Sequence, residues 1–200
     1  MAFPTTGVLD SFGGTLDGWS SLDGTGSVGT ISSGQWASGS PYLWAYWDAG
    51  TFGADEEAYI TISSMNASVN NNGRVFARLQ QVGTANPDGY AVSANALADT
   101  VEILVVTNNA DTLLGSAISQ TITAGDSIGI EVVGTSITAY YKVGAGAWAS
   151  IGTRTDSTYS SGGYIGAGAD HYTSVRLDDF GGGTVVAAIT KAGVGIVGRL

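Results

Sequence analysis

Short runs of alternating apolar and polar residues, separated by turn-forming residues, fill most of this 200-residue sequence. AYITIS (58–63) is one such run, and RVFARLQ (74–80) is another, with Val75, Ala77 and Leu79 on one side of an extended chain. A period of two residues is typical of half-buried strands, whereas an amphipathic helix has a period of 3.6. Turn formers such as NNNG, NPDG and NNAD separate the runs. The pattern predicts about a dozen short strands in an all-β, antiparallel sandwich or barrel.

Composition supports this fold class and excludes several functions. The chain has 31 glycines, is 44% apolar, and carries only 12% charged residues, which suits one strand-rich domain with a sizeable core. It contains no cysteine, so a disulfide framework, a thiolate nucleophile and a Cys-ligated zinc site are excluded. The net charge is −10 and the seven Lys and Arg residues are scattered. Because phosphate binding needs clustered cations, we expect no nucleic-acid partner.

No segment of the sequence predicts membrane insertion or classical secretion. A membrane-spanning helix takes about 20 consecutive apolar residues, and no apolar run reaches that length. The opening MAFPTTGVLDSF lacks the basic start and apolar run of a signal peptide. We therefore expect no membrane association. If the protein works outside a cell, we expect it to leave by another route, such as release with a virion.

Two similar phrases stand near the two ends of the chain. GVLDSFGGTLDG (7–18) and VRLDDFGGGTVV (175–186) both contain an aliphatic residue, an aspartate, a phenylalanine and glycines in that order. A tandem repeat would predict further copies at a fixed period, and the sequence has none. The phrases instead predict strands from one half of the sandwich, with Phe12 and Phe180 both buried. The apolar residues at 8–9 and at 175 and 177 are expected to point into the core with them.

Several phrases together resemble the concanavalin A-like lectin/glucanase jelly rolls, specifically the laminin-G-like domains of many phage and prophage proteins. The phrases that carry the resemblance are TFGADEEAYITI (51–62), RVFARLQ (74–80), DGYAV (88–92), AGDSIGIEVVGTSITAYYK (124–142), TDSTYSSGGYIGAG (155–168) and RLDDFGGGTV (176–185). The resemblance implies two curved antiparallel sheets in a jelly-roll sandwich over residues 1–183. It implies no particular ligand, because this fold supports lectins, hydrolases, adhesion modules and virion parts.

The sequence does not carry the acid pattern of a glycan hydrolase. Such enzymes need two carboxyl groups that face each other across a cleft, and the glucanases of this superfamily place three acids as Glu-x-Asp-x-x-Glu on one strand. Here residues 55–57 are contiguous acids, so successive side chains point to opposite faces, while Glu102 and Glu131 stand alone. The one histidine, His171, has no G-x-S-x-G nucleophile elbow beside it. We therefore predict no enzymatic activity.

A structural calcium ion is a further expectation, since jelly-roll binding modules often hold calcium near their paired terminal strands. Calcium takes 6–8 oxygen ligands. Asp178 and Asp179 lie in the closing phrase and Asp10 in the opening phrase, so these three aspartates are the candidate ligands. The alternative is that they cap turns or remain in water.

Aromatic residues offer the clearest binding signal. In SPYLWAYWDAG (40–50), alternation places Tyr42, Trp44 and Tyr46 on one face of a strand, opposite the more apolar face that begins with Leu43. An exposed row of these rings would stack on the C–H faces of sugars, and Asp48 would bind hydroxyl groups. These four polar or aromatic residues are the candidate carbohydrate site. The alternative is that the second face is covered by a loop or a neighbouring subunit.

The last residues, 184–200, follow three glycines that we expect to form a flexible connection, and they are predicted to form an apolar arm that leaves the sandwich. The alternative is that this segment completes the sheet as one more strand. An exposed apolar strand is prone to association, so we expect the arm to contact a second copy or another virion subunit. The candidate contact residues are Val185, Val186, Ile189, Val194, Ile196 and Val197. With the phage resemblance, these features predict a non-enzymatic virion component: a capsid decoration protein, or a tail or fibre component. A free carbohydrate-binding module is the alternative, and a glycan hydrolase is less favoured.

Overall fold

The computed structural model describes residues 2–37, 42–70, 72–170 and 174–186. These ranges form sixteen β-strands and no helix. The strands in chain order are β1 (Val8–Asp10), β2 (Trp19–Ser21), β3 (Thr30–Ser32), β4 (Gln35–Ala37), β5 (Tyr42–Trp47), β6 (Glu56–Ser64), β7 (Gly73–Gln80), β8 (Asp88–Asn95), β9 (Thr100–Thr107), β10 (Ala110–Leu113), β11 (Ile118–Ser119), β12 (Ser127–Val133), β13 (Ser136–Lys142), β14 (Trp148–Thr155), β15 (Tyr164–Asp170) and β16 (Arg176–Thr184). No described range contains a helix with the length and apolarity needed to cross a membrane.

The strands form two eight-stranded sheets that pack face to face. The first sheet has the order β14-β13-β12-β6-β16-β4-β3, with β1 also paired to β16. The second has the order β10-β9-β8-β7-β15-β5-β2, with β11 also paired to β9. Neighbouring strands run antiparallel, for example β12 with β6 and β7 with β8. The predicted antiparallel jelly-roll β-sandwich is therefore confirmed.

The main core lies between the two sheets and is built from every second residue of the long strands. Ile60 and Ile62 of β6 project from the first sheet, and Val75 and Ala77 of β7 project from the second. Each is fully buried. Removing an isoleucine or valine side chain from water contributes about 1.5–3 kcal/mol, so the alternating pattern supplies the main stabilisation of the sandwich.

The two similar phrases are neighbours in the first sheet, as predicted. β1 pairs antiparallel with β16, with Asp10 opposite Phe180. Phe12 and Phe180 are both fully buried in the main core, as predicted. The expectation that both lie on strands is wrong for Phe12, which lies in a bend after β1 with a positive φ of 51°. The expectation that residues 8–9 point into the core is wrong, because Val8 is 52% and Leu9 38% exposed. Their strand has three residues and pairs only with β16 along an irregular register, so it lies at the margin of the sandwich.

A bulge in β16 explains how Phe180 reaches the core. Thr61 lies opposite Asp178 and Tyr59 lies opposite Gly181, so Asp179 and Phe180 together face a single residue of β6. Asp179 has a positive φ of 49° at this point. The extra residue shifts the alternation by one, as bulges do, and turns the ring of Phe180 inward.

The glycines at 181–183 belong to β16, so the expectation that they form a flexible connection to an arm is wrong. All three pair with β6 and are buried. A side chain at Gly181 would place its Cβ 2.2 Å from the ring of Tyr59, so glycine is required here by close packing. Residues 187–200 lie outside the described residues, and an arm over 184–200 stays a prediction.

The outer face of the first sheet is partly covered by residues 2–6. The ring of Phe3 stacks on Tyr140 with 3.9 Å between ring centroids, and it meets Trp148 edge-on at 5.0 Å. Oε1 of the buried Glu57 accepts hydrogen bonds from the backbone N–H and hydroxyl groups of both threonines in this segment. The N-terminal segment is therefore an integral part of the sandwich.

Candidate functional site

The aromatic row lies on β5, in the second sheet, and its side chains alternate as the sequence pattern predicts. Leu43 and Ala45 are buried in the main core, whereas Tyr42 is 69% exposed and Trp44 and Tyr46 are partly buried. The row therefore faces away from the first sheet, on the outer face of the second sheet. This face is where the sequence predicts a ligand.

Glycine in the adjacent strand β15 lets Trp44 lie close to the sheet. Gly168 is opposite Trp44 on β5 and opposite Arg74 on β7. A Cβ on Gly168 would come within 2.7 Å of Cδ1 of Trp44, so any larger residue would displace the indole ring. With no side chain between them, Trp44 and Arg74 meet across β15. The centre of the guanidinium group lies 4.8 Å from the Trp44 ring centroid and 5.7 Å from that of Phe76.

The guanidinium group of Arg74 is buried beneath this aromatic surface and is neutralised by Asp111 of β10. Two hydrogen bonds, of 2.6 and 3.2 Å, join its terminal nitrogens to the two carboxylate oxygens. Arg74 is only 1% exposed, so its charge requires a partner of this kind. Stacked planar groups of this type contribute about 0.5–2 kcal/mol. The Arg74–Asp111 pair therefore holds the Trp44 ring in a fixed position.

A pocket of about 260 Å³ opens beside Trp44. Its lining residues in the described part of the chain come from β5, from the loop after β2 and from the β9–β10 turn: Tyr42, Trp44, Asp23, Thr25, Ser27 and Asn109. The pocket thus combines flat aromatic surfaces with carboxylate, hydroxyl and amide groups. Such a mixture suits a ligand with both apolar faces and hydroxyl groups.

Asp23 is the charged residue of the described pocket lining, and its carboxylate is fixed by its own turn. Oδ1 accepts hydrogen bonds from the hydroxyl of Ser21 at 2.6 Å and from the backbone N–H and hydroxyl of Thr25 at 3.0 and 2.7 Å. Partial burial alone would raise the pKa of Asp23, but these hydrogen bonds outweigh it and hold the pKa below its usual range. The side chain is therefore an ionised acceptor at neutral pH.

The sequence pattern identified part of this pocket and missed the rest. Tyr42 and Trp44 line it, whereas Tyr46 and Asp48 do not. Tyr46 packs edge-on against Tyr164, with 5.0 Å between ring centroids. Asp48 accepts a hydrogen bond from the hydroxyl of Ser20. The sequence predicts turns around the other four lining residues, but it does not predict that these turns lie beside Trp44. These residues are Asp23, Thr25, Ser27 and Asn109.

Comparison with known proteins reveals likeness in structure but not in sequence. No protein-family model and no curated protein matches the chain. Among solved structures, the carbohydrate binding module CBM66 from Bacillus subtilis matches with a TM-score of 0.56 and 21% identity, over 84% of this chain and 93% of that one. The VIP36 exoplasmic/lumenal domain in its Ca²⁺/Man-bound form matches with a TM-score of 0.66 and 9% identity, over 95% and 94%.

A third match comes from a phage protein. The CBM2 module of the evolved Dit of Lactobacillus casei BL23 phage J-1 has a TM-score of 0.53 and 15% identity, over 88% of this chain and 95% of that one. The chain has a lectin-like sandwich fold. At these sequence identities the likeness concerns the fold alone.

The three aspartates predicted to bind calcium lie close together but do not form a ligand set. Burial, and then the carboxylates of Asp179 and Asp10, raise the pKa of Asp178. Asp10 accepts hydrogen bonds from the N–H of Phe12 and the indole N–H of Trp19, one on each oxygen. In the described ranges no three Asp, Glu, His or Cys side chains are grouped so that they could hold a metal ion. Calcium at these aspartates stays a prediction that this geometry does not favour.

The contiguous acids at 55–57 point in different directions, as the sequence predicts. Burial raises the pKa of Glu56 to about 7, although its carboxylate accepts hydrogen bonds from the backbone N–H groups of Arg78 and Gly163. Glu57 faces the opposite side, toward the N-terminal segment. Glu131 accepts a hydrogen bond from Tyr140 on the first sheet. None of these glutamates lines the pocket beside Trp44, and His171 lies outside the described residues.

The predicted assembly residues are mostly outside the described part of the chain. Val185 is half-buried and its N–H donates to the carbonyl of Asp55 at 2.9 Å. Val186 is 63% exposed. The remaining four, Ile189, Val194, Ile196 and Val197, lie outside the described residues. Assembly through this segment stays a prediction.

Proposed function

We propose that this protein is a non-enzymatic glycan-binding component of a phage particle, and that it binds sugar in the pocket beside Trp44. The observation that carries the proposal is the pairing of an outward aromatic surface with fixed polar groups. Tyr42 and Trp44 supply the aromatic surface, and Asp23 and Asn109 supply polar groups beside it. The alternative, a free carbohydrate-binding module, uses the same pocket without the particle.

The chemistry of the pocket suits a sugar ring. One face of a pyranose carries C–H groups, which pack on an aromatic ring, while the hydroxyl groups at its rim need hydrogen-bond partners. The pocket of about 260 Å³ is somewhat smaller than the roughly 300–1,000 Å³ of sites for drug-sized ligands. One sugar unit in the pocket, with neighbouring units over Tyr42, fits these dimensions best.

The solved structures support both parts of the proposal. CBM66 is a carbohydrate binding module, and VIP36 was determined with mannose bound. The CBM2 module of the phage J-1 Dit supports a role in a phage particle. The exposed Val186 and the apolar residues beyond it in the sequence agree with an assembly contact. On this proposal the protein is located in the virion, with other virion subunits or copies of itself as partners.

Replacing Tyr42 is the sharpest test of the binding site. Tyr42 is largely exposed, so Tyr42→Ala should leave the melting temperature almost unchanged while weakening glycan binding at least about tenfold on a glycan array and by calorimetry. Trp44→Ala should abolish binding but also expose Arg74, so it is the less clean variant. Leu97→Ala is the matched control, because Leu97 is 59% exposed and does not line the pocket.

Two outcomes would contradict the proposal. If the unmodified protein binds no glycan on a broad array, the pocket is not a sugar site. If Tyr42→Ala and Leu97→Ala bind a glycan equally well, sugar binds elsewhere on the molecule.

The role in a phage particle is tested separately, by deleting residues 187–200 and measuring whether the protein still assembles. Deletion should leave the sandwich folded, because β16 ends at Thr184. A particle component should then lose its assembled form, whereas a free module should not change its state.

A further inference from the structure

The charges around the pocket are arranged unevenly. Asp23 is the charged side chain among its described lining residues. Arg74 lies over the Trp44 ring, but it is buried and held by Asp111 through two hydrogen bonds. A ligand in the pocket therefore meets a carboxylate and no available cation within the described lining.

The carboxylate of Asp23 cannot readily turn away from a ligand. Three hydrogen bonds end on its Oδ1, from Ser21 and Thr25. Backbone hydrogen bonds also hold this turn against two other parts of the second sheet. The N–H of Leu22 donates to the carbonyl of Trp44 on β5 at 2.9 Å, and the N–H of Gly83, in the loop after β7, donates to the carbonyl of Leu22 at 2.9 Å. The acceptor is thus preorganised, which lowers the entropic cost of binding.

We propose that Asp23 makes the pocket selective by charge, so that it accepts glycans that are neutral or carry an ammonium group and rejects those that carry carboxylate, sulfate or phosphate. This inference rests on the proposed function and names its ligand class. An ionised carboxylate only accepts hydrogen bonds, so the ligand must present O–H or N–H donors to it. A donor with a positive charge forms a shorter bond of about twice the strength. An anionic group meets repulsion there, and the net charge of −10 adds to it at longer range.

The experiment compares matched glycans on the full chain. An array of neutral, glucosamine-containing, sialylated, uronate-containing and sulfated or phosphorylated glycans is probed at 0.15 M salt. The tightest neutral glycan is then compared by calorimetry with its amino and its uronate derivatives. We expect the amino form to bind at least about tenfold more tightly than the uronate form. In Asp23→Asn this difference should fall to about twofold or less, because the charge is removed while an oxygen remains for Ser21 and Thr25.

Controls separate charge from folding. Asp17→Asn removes an exposed carboxylate that accepts a hydrogen bond from Thr15 and does not line the pocket. It should leave the selectivity unchanged. If Asp23→Asn lowers the melting temperature, Asp23→Ser is the second variant, because a serine hydroxyl also caps such a turn.

The failure of this inference differs from the failure of the proposed function. Equal binding of the neutral, amino and uronate forms by the unmodified protein would overturn charge selection and leave glycan binding intact. The same holds if both uncharged variants at position 23 keep the full preference. Binding of no glycan at all would overturn the proposed function first.

Discussion

Replacing Phe180 with alanine tests the arrangement that joins the two ends of the chain. The ring is fully buried and lies 4.7 Å from Trp19 and 6.5 Å from Trp47, measured between ring centroids. Truncating a buried phenylalanine removes its transfer free energy and leaves a cavity, which together destabilise a protein by about 3–5 kcal/mol. In a domain of this size each kcal/mol lowers the melting temperature by about 2–4 °C, so Phe180→Ala should lower it by roughly 6–20 °C.

Calorimetry and urea unfolding measure this loss, and tryptophan fluorescence reports its location. Phe12 lies 5.3 Å from Trp36 and 5.9 Å from Trp19, so it belongs to the same group of rings as Phe180. Phe12→Ala should be comparably destabilising, and the two losses should not add, because both rings contact Trp19.

The control for this experiment is Val143→Ala, at a side chain that is 66% exposed. It should change the free energy of unfolding by no more than about 0.5 kcal/mol. If Phe180→Ala loses less than about 1 kcal/mol, the ring does not fill the core as described, and the bulge in β16 does not turn it inward. Additive losses in the double variant would show that Phe12 and Phe180 stabilise the protein independently, which would contradict their shared contact with Trp19.

Two further predictions concern buried charges. Asp111→Asn leaves the Arg74 guanidinium buried without a carboxylate, so unfolding free energy should fall by about 1–3 kcal/mol and glycan affinity should fall as the Trp44 ring loosens; unchanged stability and affinity would refute the positioning role. Burial raises the folded-state pKa of Glu56 to about 7, above its ordinary value of 4.5, so its contribution to stability is present below pH 4.5 and is lost as the pH rises toward 7. That loss is of order 3 kcal/mol, and Glu56→Gln should flatten the stability profile over this range; parallel urea-unfolding profiles for the two proteins would contradict it.

Strand periodicity predicted the fold because the alternation depends only on residues that are close together in the sequence. The alternation in β5 placed Leu43 inside and Tyr42 outside, as the structure has them. It failed where a bulge shifts the pattern. Leu79 was expected beside Val75 and Ala77, but β7 is irregular between Ala77 and Gln80, and Leu79 packs with the outer apolar cluster instead. A bulge leaves little trace in composition, so alternation alone could not reveal it.

The binding pocket was only half predictable, because its residues are far apart in the sequence. The aromatic half lies within one strand and follows its alternation. The polar half comes from Asp23 and Asn109, whose loops meet only after β2, β5 and the β9–β10 hairpin have found their places in the second sheet. The ion pair between Arg74 and Asp111 likewise joins β7 to β10 across two intervening strands. Contacts of this kind depend on strand order, which the sequence pattern leaves open.

The two outer faces of the sandwich are covered in different ways. On the first sheet, Phe3 fills the space above Gly129, where a Cβ would lie 2.4 Å from its ring. On the second sheet, an apolar cluster that includes Phe76 and Leu104 fills the middle of the outer face. Trp44 packs against this cluster while Tyr42, two residues earlier, remains exposed. The pocket therefore lies at the edge of a small second core, and this core supplies the rigidity that a flat aromatic surface needs to bind a ligand without rearrangement.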